Sequence, residues 1–231
     1  MNIAIIPARG GSKRIPRKNI KLFCGKPMIT HSIETAIRSE LFDHVVVSTD
    51  DEEIATIAEQ SGAEVPFFRS SELADDSTAT APVIADAVSR CSAMGWQADF
   101  VCCIYPCAPF IQPKDVFDAL VLLKDSTAAF SFPIAQYQNA VQRALRVKKD
   151  GRVSAFYPEF ELTRSQDLEP AFHDAGQFYW GAAEAWGRYS KIYEVGIGLV
   201  IPHWRVVDID TADDWKRAEL MFQAINRTDI F

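Results

Sequence analysis

The chain has 231 residues and a formal net charge of −7, with 48% apolar and 24% charged residues. This is the composition of a globular chain rather than a disordered one, and the length fits one domain covering 1–231. No run of 18 apolar residues supports a membrane-spanning helix, no secretory leader is read ahead of the first apolar segment, and an acidic chain argues against general nucleic-acid binding.

Five cysteines, none in a CxxC pair, point to reduced thiols and a cytoplasmic setting. Asn2 to Pro7 is the short apolar run expected of a buried parallel strand. A loop follows to about Lys26. Pro27 suits the first turn of a helix in which Ile29, Ile33, Ala36 and Ile37 recur at helical spacing. Val45 to Val47 makes a second strand. The next helix carries Ile54, Ile57 and Ala58 on one face and stops near Gly62. Val65 to Phe68 reads as a third strand. Thr80 to Met94 is helical through Val83, Ile84, Ala87, Val88 and Cys91. Phe100 to Tyr105 is a fourth buried strand, and Val116, Leu120 and Leu123 mark another helix.

This order predicts a parallel sheet covered by helices on both faces, with ligands beyond the carboxyl ends of the strands. After about residue 132 the pattern changes. Residues 144–156 read as a hairpin with a glycine turn, and about 133–172 form an arm outside the main sheet. Gln177 to Trp180 returns to the core. Val206 to Ile209 reads as a last strand. Thr211 caps a final helix with Asp213 and Asp214 in its first turn and Trp215, Ala218, Phe222 and Ile225 on one face.

Charge is uneven along the chain. The first 33 residues hold seven bases and no acid, while the remaining 198 carry a net −14. A basic segment on an acidic protein suggests a focused anion site. Its centre is the loop Ala8-Arg9-Gly10-Gly11-Ser12-Lys13-Arg14. Glycines directly after a strand let backbone amides approach an anion closely, and Arg9 and Lys13 add charges that neutralise phosphate oxygens. An ordinary glycine turn explains Gly10 and Gly11 but not five basic residues between positions 9 and 18. Neither GxxxxGK[ST] nor GxGxxG can be laid on the loop, so a P-loop hydrolase or a dinucleotide dehydrogenase is not supported. The second signal is Val207-Asp208-Ile209-Asp210-Thr211. In a strand Asp208 and Asp210 share a face, and paired carboxylates beside phosphates suit Mg²⁺.

Ile6-Pro7-Ala8-Arg9-Gly10-Gly11-Ser12-Lys13, with Lys18-Asn19 following, resembles the signature of the CMP-sugar synthetases that activate sialic acids (the acylneuraminate cytidylyltransferase family). Leu73-Ala74-Asp75-Asp76, with Arg69 upstream, is similar to their second nucleotide-binding segment. Asp174 to Tyr179 is similar to their sugar segment, and Val207 to Thr211 to their metal segment. The resemblance spans almost the whole chain. It implies a three-layer α/β nucleotidyltransferase fold with a mostly parallel central sheet and a small protruding dimerisation arm. It also implies CTP and an acidic nine-carbon sugar as substrates, CMP-sugar and pyrophosphate as products, Mg²⁺, and a homodimer formed through the arm.

One block departs from the sialic-acid pattern: Tyr105 stands where a glutamine is usual. The stretches Thr163 to Leu168 and His173 to Trp180 resemble instead the branch acting on pseudaminic acid, a bacterial sialic-acid-like sugar with two acylamino groups and a terminal methyl. The resemblance assigns the nucleotide to Ala8, Arg9, Gly10, Gly11, Ser12, Lys13, Asn19, Arg69, Leu73, Ala74 and Asp76. It assigns the sugar to Tyr105, Arg164 (its carboxylate), Gln177 and Tyr179, and the metal to Asp208 and Asp210. Lys13, Arg9, Asp208 and Asp210 would carry the chemistry. N-acetylneuraminate, legionaminate and Kdo are the alternative sugars, and a catalytically silent nucleotide-binding protein is the alternative outside enzymes. Two smaller expectations concern His31, on the polar side of its helix, and Cys107, at the cleft edge without a nucleophile's role.

Overall fold

The computed structural model describes residues 1–75 and 78–226. Strands and helices alternate through the first half: β1 (Asn2–Pro7), β2 (Leu22–Phe23), β3 (Lys26–Pro27), α1 (Met28–Arg38), β4 (His44–Ser48), α2 (Glu52–Gln60), α3 (Thr80–Ala93), β5 (Phe100–Ile104) and α4 (Pro113–Lys124). The second half is richer in strands. It holds β6 (Phe130–Gln136), β7 (Leu145–Val147), β8 (Val153–Ala155), β9 (Phe172–Asp174), β10 (Phe178–Ala182), α5 (Ala185–Arg188), β11 (Gly196–Val200) and α6 (Ala212–Asn226).

The main sheet runs β11-β6-β10-β5-β1-β4, with β9 attached to β6. β4, β1, β5, β6 and β11 run one way, and β10 and β9 run against them. The sheet is therefore mixed and mostly parallel. Side-chain alternation sorts the core into two layers. Ala4 and Ile6 of β1 and Cys102 and Ile104 of β5 pack with Ile33, Ile54 and Leu120 on one face. Ile3 and Ile5, with Val101 and Cys103, pack with Ile84, Ala87 and Trp186 on the other. Both faces are covered by helices, as the strand–helix repetition predicts. A third cluster gathers Phe23, Met28, Phe110 and Ile209 under the Trp215 and Ala218 face of α6.

Three expectations about the elements change. Residues 65–68 do not form a strand; only isolated parallel bridges join Val46 to Glu64 and Thr49 to Phe68. Pro66 has no N–H to donate there, which limits pairing. Residues 206–209 are not a strand either. They run as a single segment, and their apolar–polar alternation serves burial instead: Ile209 enters the third cluster while Asp208 stays exposed. The arm is shorter than read, because 133–136 belongs to β6 and β9 returns at 172. The segment between them carries the β7–β8 hairpin, closed by Gly151 at φ +82° with its amide donating to the Lys148 carbonyl at 2.9 Å.

His31 is buried at 6% exposure rather than lying on a polar face. Its Nε2 is 3.0 Å from the Phe23 carbonyl, and the rings of Phe23 and Phe222 stand edge-on to it. Burial holds its pKa below the usual value of 6.5. The unfolded chain then binds that proton more readily, so the stability tied to the neutral ring is full above about pH 6.5 and is lost as pH falls below it. Urea midpoints between pH 7.5 and 5.5 are expected to fall more steeply for the wild type than for His31→Gln. Equal slopes would remove His31 as the cause.

Candidate active site

The first loop leaves β1 at the carboxyl edge of the sheet. The Ala8 amide donates to the Ser48 carbonyl at 3.0 Å, tying the loop to the end of β4. Gly10 then passes so close to Asp51 that a Cβ would lie 2.5 Å from its Oδ2. Only glycine fits at that distance, and the Gly10 amide donates to Asp50 Oδ1 at 3.0 Å. This is a carboxylate oxygen on an amide of the proposed anion cradle, so the local geometry already accepts an anionic acceptor. Arg17 anchors the far side through Asp51 and Glu53. Asn19, buried, donates Nδ2 to the Arg9 carbonyl at 2.9 Å and so fixes the loop from inside.

Two hollows open along this edge. The smaller, about 260 Å³, is lined by Arg9, Ser12, Lys13, Asn19, Arg69 and Leu73, among others. Arg69 forms part of its floor: the guanidinium is buried and donates Nη2 to the Ser48 carbonyl and Nε to Ser48 Oγ at 3.2 Å. Desolvation lowers its pKa from the usual value. Arg9 crosses to the opposite wall, where Nη1 donates to the Asp75 carbonyl at 2.7 Å. The larger hollow, about 1050 Å³, is lined by Tyr105, Tyr179, His173, Asp174, Trp204 and Asp208, among others. Lys18, Asn19, Tyr105 and Pro106 border both. They make the two hollows one cleft with a waist.

The wall of the larger half is a phenol cluster around one carboxylate. Tyr179 and Tyr193 both donate their hydroxyls to Asp174 Oδ2, the second at 2.7 Å, and the Gly176 amide donates to Oδ1 at 2.8 Å. Burial pushes the Tyr179 phenol well above its usual range and the Tyr193 phenol up to about 12. Both therefore stay protonated donors. The Tyr105 ring lies 5.5 Å from that of Tyr179, and its hydroxyl pairs with Thr80 Oγ1 at 3.0 Å. Cys107 Sγ donates to Asn19 Oδ1 at 3.2 Å, and burial raises the thiol to about 12. It is a protonated thiol, in keeping with an absent nucleophilic role.

Most of the expected nucleotide residues meet here. Arg9, Ser12, Lys13, Asn19, Arg69 and Leu73 line the smaller hollow, and Gly10 and Gly11 belong to its loop. Ala8 is buried in the core at the root of that loop, and Ala74 follows Leu73 without lining the hollow. Asp76 lies outside the described residues. Of the sugar residues, Tyr105 and Tyr179 line the larger hollow. Gln177 does not. It is 4% exposed, donates Nε2 to the Arg205 carbonyl at 2.7 Å and leaves Oε1 buried without a partner among the described residues. Arg164 does not either: its side chain is 73% exposed and pairs with Asp167 at 2.9 Å. Trp204, His203, Tyr137 and Arg217 line the cleft and were not singled out from sequence. They lie outside the matched motif blocks, and no local pattern marks them.

The carboxylates expected to hold a cation differ in their surroundings. Asp208 lines the larger hollow and makes no hydrogen bond or ion pair among the described residues. Asp210 is paired with Arg14 and, at 3.4 Å, with Lys18. Lys18 Nζ also donates to the Ile209 carbonyl at 2.7 Å. Among the described residues no three His, Cys, Asp or Glu side chains gather into a cage. Asp208 opens onto the larger hollow, and Asp210 lines neither hollow but is joined by its ion pairs to Arg14 and Lys18 of the smaller one. Carboxylate oxygens of this kind fit Mg²⁺, which takes few protein ligands and completes its shell with phosphate and water.

Comparison with known proteins identifies the family and the fold. The family described as Cytidylyltransferase matches residues 3–175. Pseudaminic acid cytidylyltransferase of Campylobacter jejuni is 39% identical over 100% of this chain and 99% of its own. CMP-N,N'-diacetyllegionaminic acid synthase of Legionella pneumophila is 40% identical over 96% of each. Among solved structures, CMP:2-keto-3-deoxy-manno-octonic acid synthetase complexed with CTP has a TM-score of 0.73 over 97% of this chain and 99% of that one. At 17% identity that likeness shows the fold.

Proposed function

The chain belongs to the cytidylyltransferase family, and on that premise we propose that it transfers CMP from CTP to the anomeric hydroxyl of pseudaminic acid and releases pyrophosphate. The observation that carries the reading is the single cleft with two unlike halves. One half is a glycine loop bordered by Arg9, Lys13 and Arg69; the other is a larger, aromatic hollow that Asp208 borders. They meet at Tyr105, Pro106, Lys18 and Asn19.

The triphosphate lies on residues 8–13, where Lys13 and Arg9 offset its charge. Arg69 and Leu73 border the nucleoside. The sugar hydroxyl attacks the α-phosphate, the bond to the β-phosphate oxygen breaks, and pyrophosphate leaves. No covalent enzyme intermediate is required, so the residues act by positioning and charge neutralisation. Mg²⁺, when bound by Asp208 and Asp210, would supply Lewis-acid polarisation of a phosphoryl oxygen and a lower pKa for the attacking hydroxyl. The Tyr105–Tyr179 wall offers apolar surface to acyl groups and a methyl. We place the reaction in the cytoplasm, the compartment that suits five free thiols.

The functional unit in this reading is a homodimer. Leu145, Val147, Val153 and Leu162 are exposed apolar side chains on the segment outside the sheet. Such a patch suits a second copy.

Overall identity does not separate the sugars, since two relatives at 39% and 40% carry different sugar names. Pyrophosphate release with CTP and Mg²⁺ separates them. Pseudaminic, N,N'-diacetyllegionaminic and N-acetylneuraminic acids are offered at equal concentration, and pseudaminic acid is expected to give the highest kcat/KM. Preference for another acid keeps the reaction and discards the sugar. CTP binding with no release from any of the three would leave another acidic sugar such as Kdo, or a silent nucleotide-binding protein.

A further inference from the structure

The side of the larger hollow that carries Trp204 and Asp208 has no sheet to hold it. Residues 202–209 lie outside every strand. The Ile201 amide donates to the Ile134 carbonyl at 2.9 Å just before them, and a single helical turn at His203–Arg205 opens the segment. A segment without a ladder takes its place from the side chains that tie it to the scaffold.

Arg205 supplies that tie. Its guanidinium meets Asp115 in a two-pronged ion pair, Nη1 to Oδ2 and Nη2 to Oδ1, the second at 3.2 Å. The two side chains are only 11% and 10% exposed. Asp115 lies in the first turn of α4, where the helix dipole favours a carboxylate, and α4 packs on β6, β10 and β11. The Arg205 guanidinium also lies 5.9 Å from the centre of the Trp204 ring, which borders the hollow. The Arg205 carbonyl accepts from Gln177 Nε2 at 2.7 Å, and the Gln177 carbonyl accepts in turn from the Tyr105 amide at 2.8 Å. One connected set of bonds therefore runs from α4 through the 203–208 segment to the waist of the cleft.

A buried ion pair often holds a fold no better than a well-packed apolar pair, because desolvation offsets much of the attraction. What the pair supplies is direction: two parallel N–H donors fix a guanidinium against a carboxylate in one orientation. We infer that Asp115, Arg205 and Gln177 are positioning residues that set the 203–208 wall, and with it Trp204 and Asp208, against the phosphate half of the cleft. None of the three lines either hollow. The inference rests on the proposed reaction and deepens it: Gln177 acts on the sugar half through the Arg205 carbonyl rather than by contact.

The test reads position and turnover separately. Wild type, Gln177→Met and the double variant Asp115→Leu/Arg205→Met are labelled with fluorotryptophan. The double variant leaves no buried charge alone, so its fold should hold; Gln177→Met keeps the side chain's length and removes one hydrogen bond. The fluorine resonance of Trp204, assigned by its loss in Trp204→Phe, is expected to shift or broaden in both variants. That of Trp186, buried in the other core layer, should stay in place. In pyrophosphate release, the KM for the sugar acid and the Mg²⁺ needed for half-maximal rate should rise together. The rise is expected to be roughly 10-fold in the double variant and about 3-fold in Gln177→Met, with the KM for CTP within about twofold. A rise in the sugar KM alone in Gln177→Met would make that residue a direct contact and overturn the inference. A double variant with wild-type kinetics and an unmoved Trp204 resonance overturns it too. Should the double variant lose the wild-type Tm, Gln177→Met decides by the same criteria. If the wild type releases pyrophosphate with none of the acids, the reaction itself falls, and the Trp204 resonance alone decides whether these residues set the wall.

Discussion

Lys13→Ala is expected to lower turnover about 10²–10³-fold, the loss seen when one donor to a developing charge is removed. Lys13 lines the smaller half of the cleft and is exposed. Truncating it removes little packing, so Tm should move by no more than a surface change does. As pyrophosphate departs, negative charge grows on the leaving oxygens, and a cation aimed there counts for more in the transition state than in the bound substrate. The loss should therefore fall mainly on kcat, with a smaller rise in the KM for CTP. Lys13→Arg keeps the charge but changes its shape and should recover part of the rate. Turnover of Lys13→Ala within threefold of wild type would remove the loop from the phosphate site.

The first half of this fold is legible in its sequence because each element satisfies one simple rule. β1 and β5 are short apolar runs, and α1 to α4 repeat at helical spacing, so buried faces and hydrogen-bond periods coincide. Legibility fails where packing overrides local preference. β11 reads Gly-Ile-Gly-Leu-Val, and glycine weakens a strand signal. Yet a Cβ at Gly196 would meet the Phe132 ring at 2.5 Å, and one at Gly198 would meet Ile134 at 2.5 Å. Those glycines are there so that β11 can approach β6. Val206 to Asp210 shows the converse. Its alternation is that of a strand, but the apolar positions answer to α6 and Phe23 rather than to a ladder.

At the site, the glycine loop is legible because charge and backbone freedom are local properties. Gln177 is not. Its residue type suits a sugar hydroxyl, but the fold turns it inward to the Arg205 carbonyl, three residues ahead of Asp208. Only the pairing of β10 with β5, which also ties the Tyr105 amide to the Gln177 carbonyl at 2.8 Å, decides that orientation. Arg217 was illegible for the same reason. It looks like any surface arginine until α6 is docked.

Asp208, which lines the cleft, and Asp210, which is ion-paired beside it, should answer differently to neutralisation. Asp208→Asn removes charge from a side chain that makes no hydrogen bond or ion pair among the described residues. Its Tm should be unchanged while the Mg²⁺ needed for half-maximal rate rises more than about 10-fold, beyond the lower end of what outer-shell partners cost. Calorimetric titration of Mg²⁺ into the CTP-loaded enzyme should weaken in parallel, which separates binding from turnover. Asp210→Asn also breaks the pairs with Arg14 and Lys18 that join the 206–210 segment to the phosphate loop. Lys18 borders both halves of the cleft, so that variant should raise the Mg²⁺ requirement and the KM for CTP together. These pairs are partly exposed, so the stability lost with them is small, at most about 1 kcal/mol each. An unchanged Mg²⁺ titration in Asp208→Asn would take that carboxylate out of the metal site. A shift confined to Asp210→Asn would leave the salt-bridged aspartate as the metal's principal protein ligand, its two cations having moved to the phosphates when CTP binds.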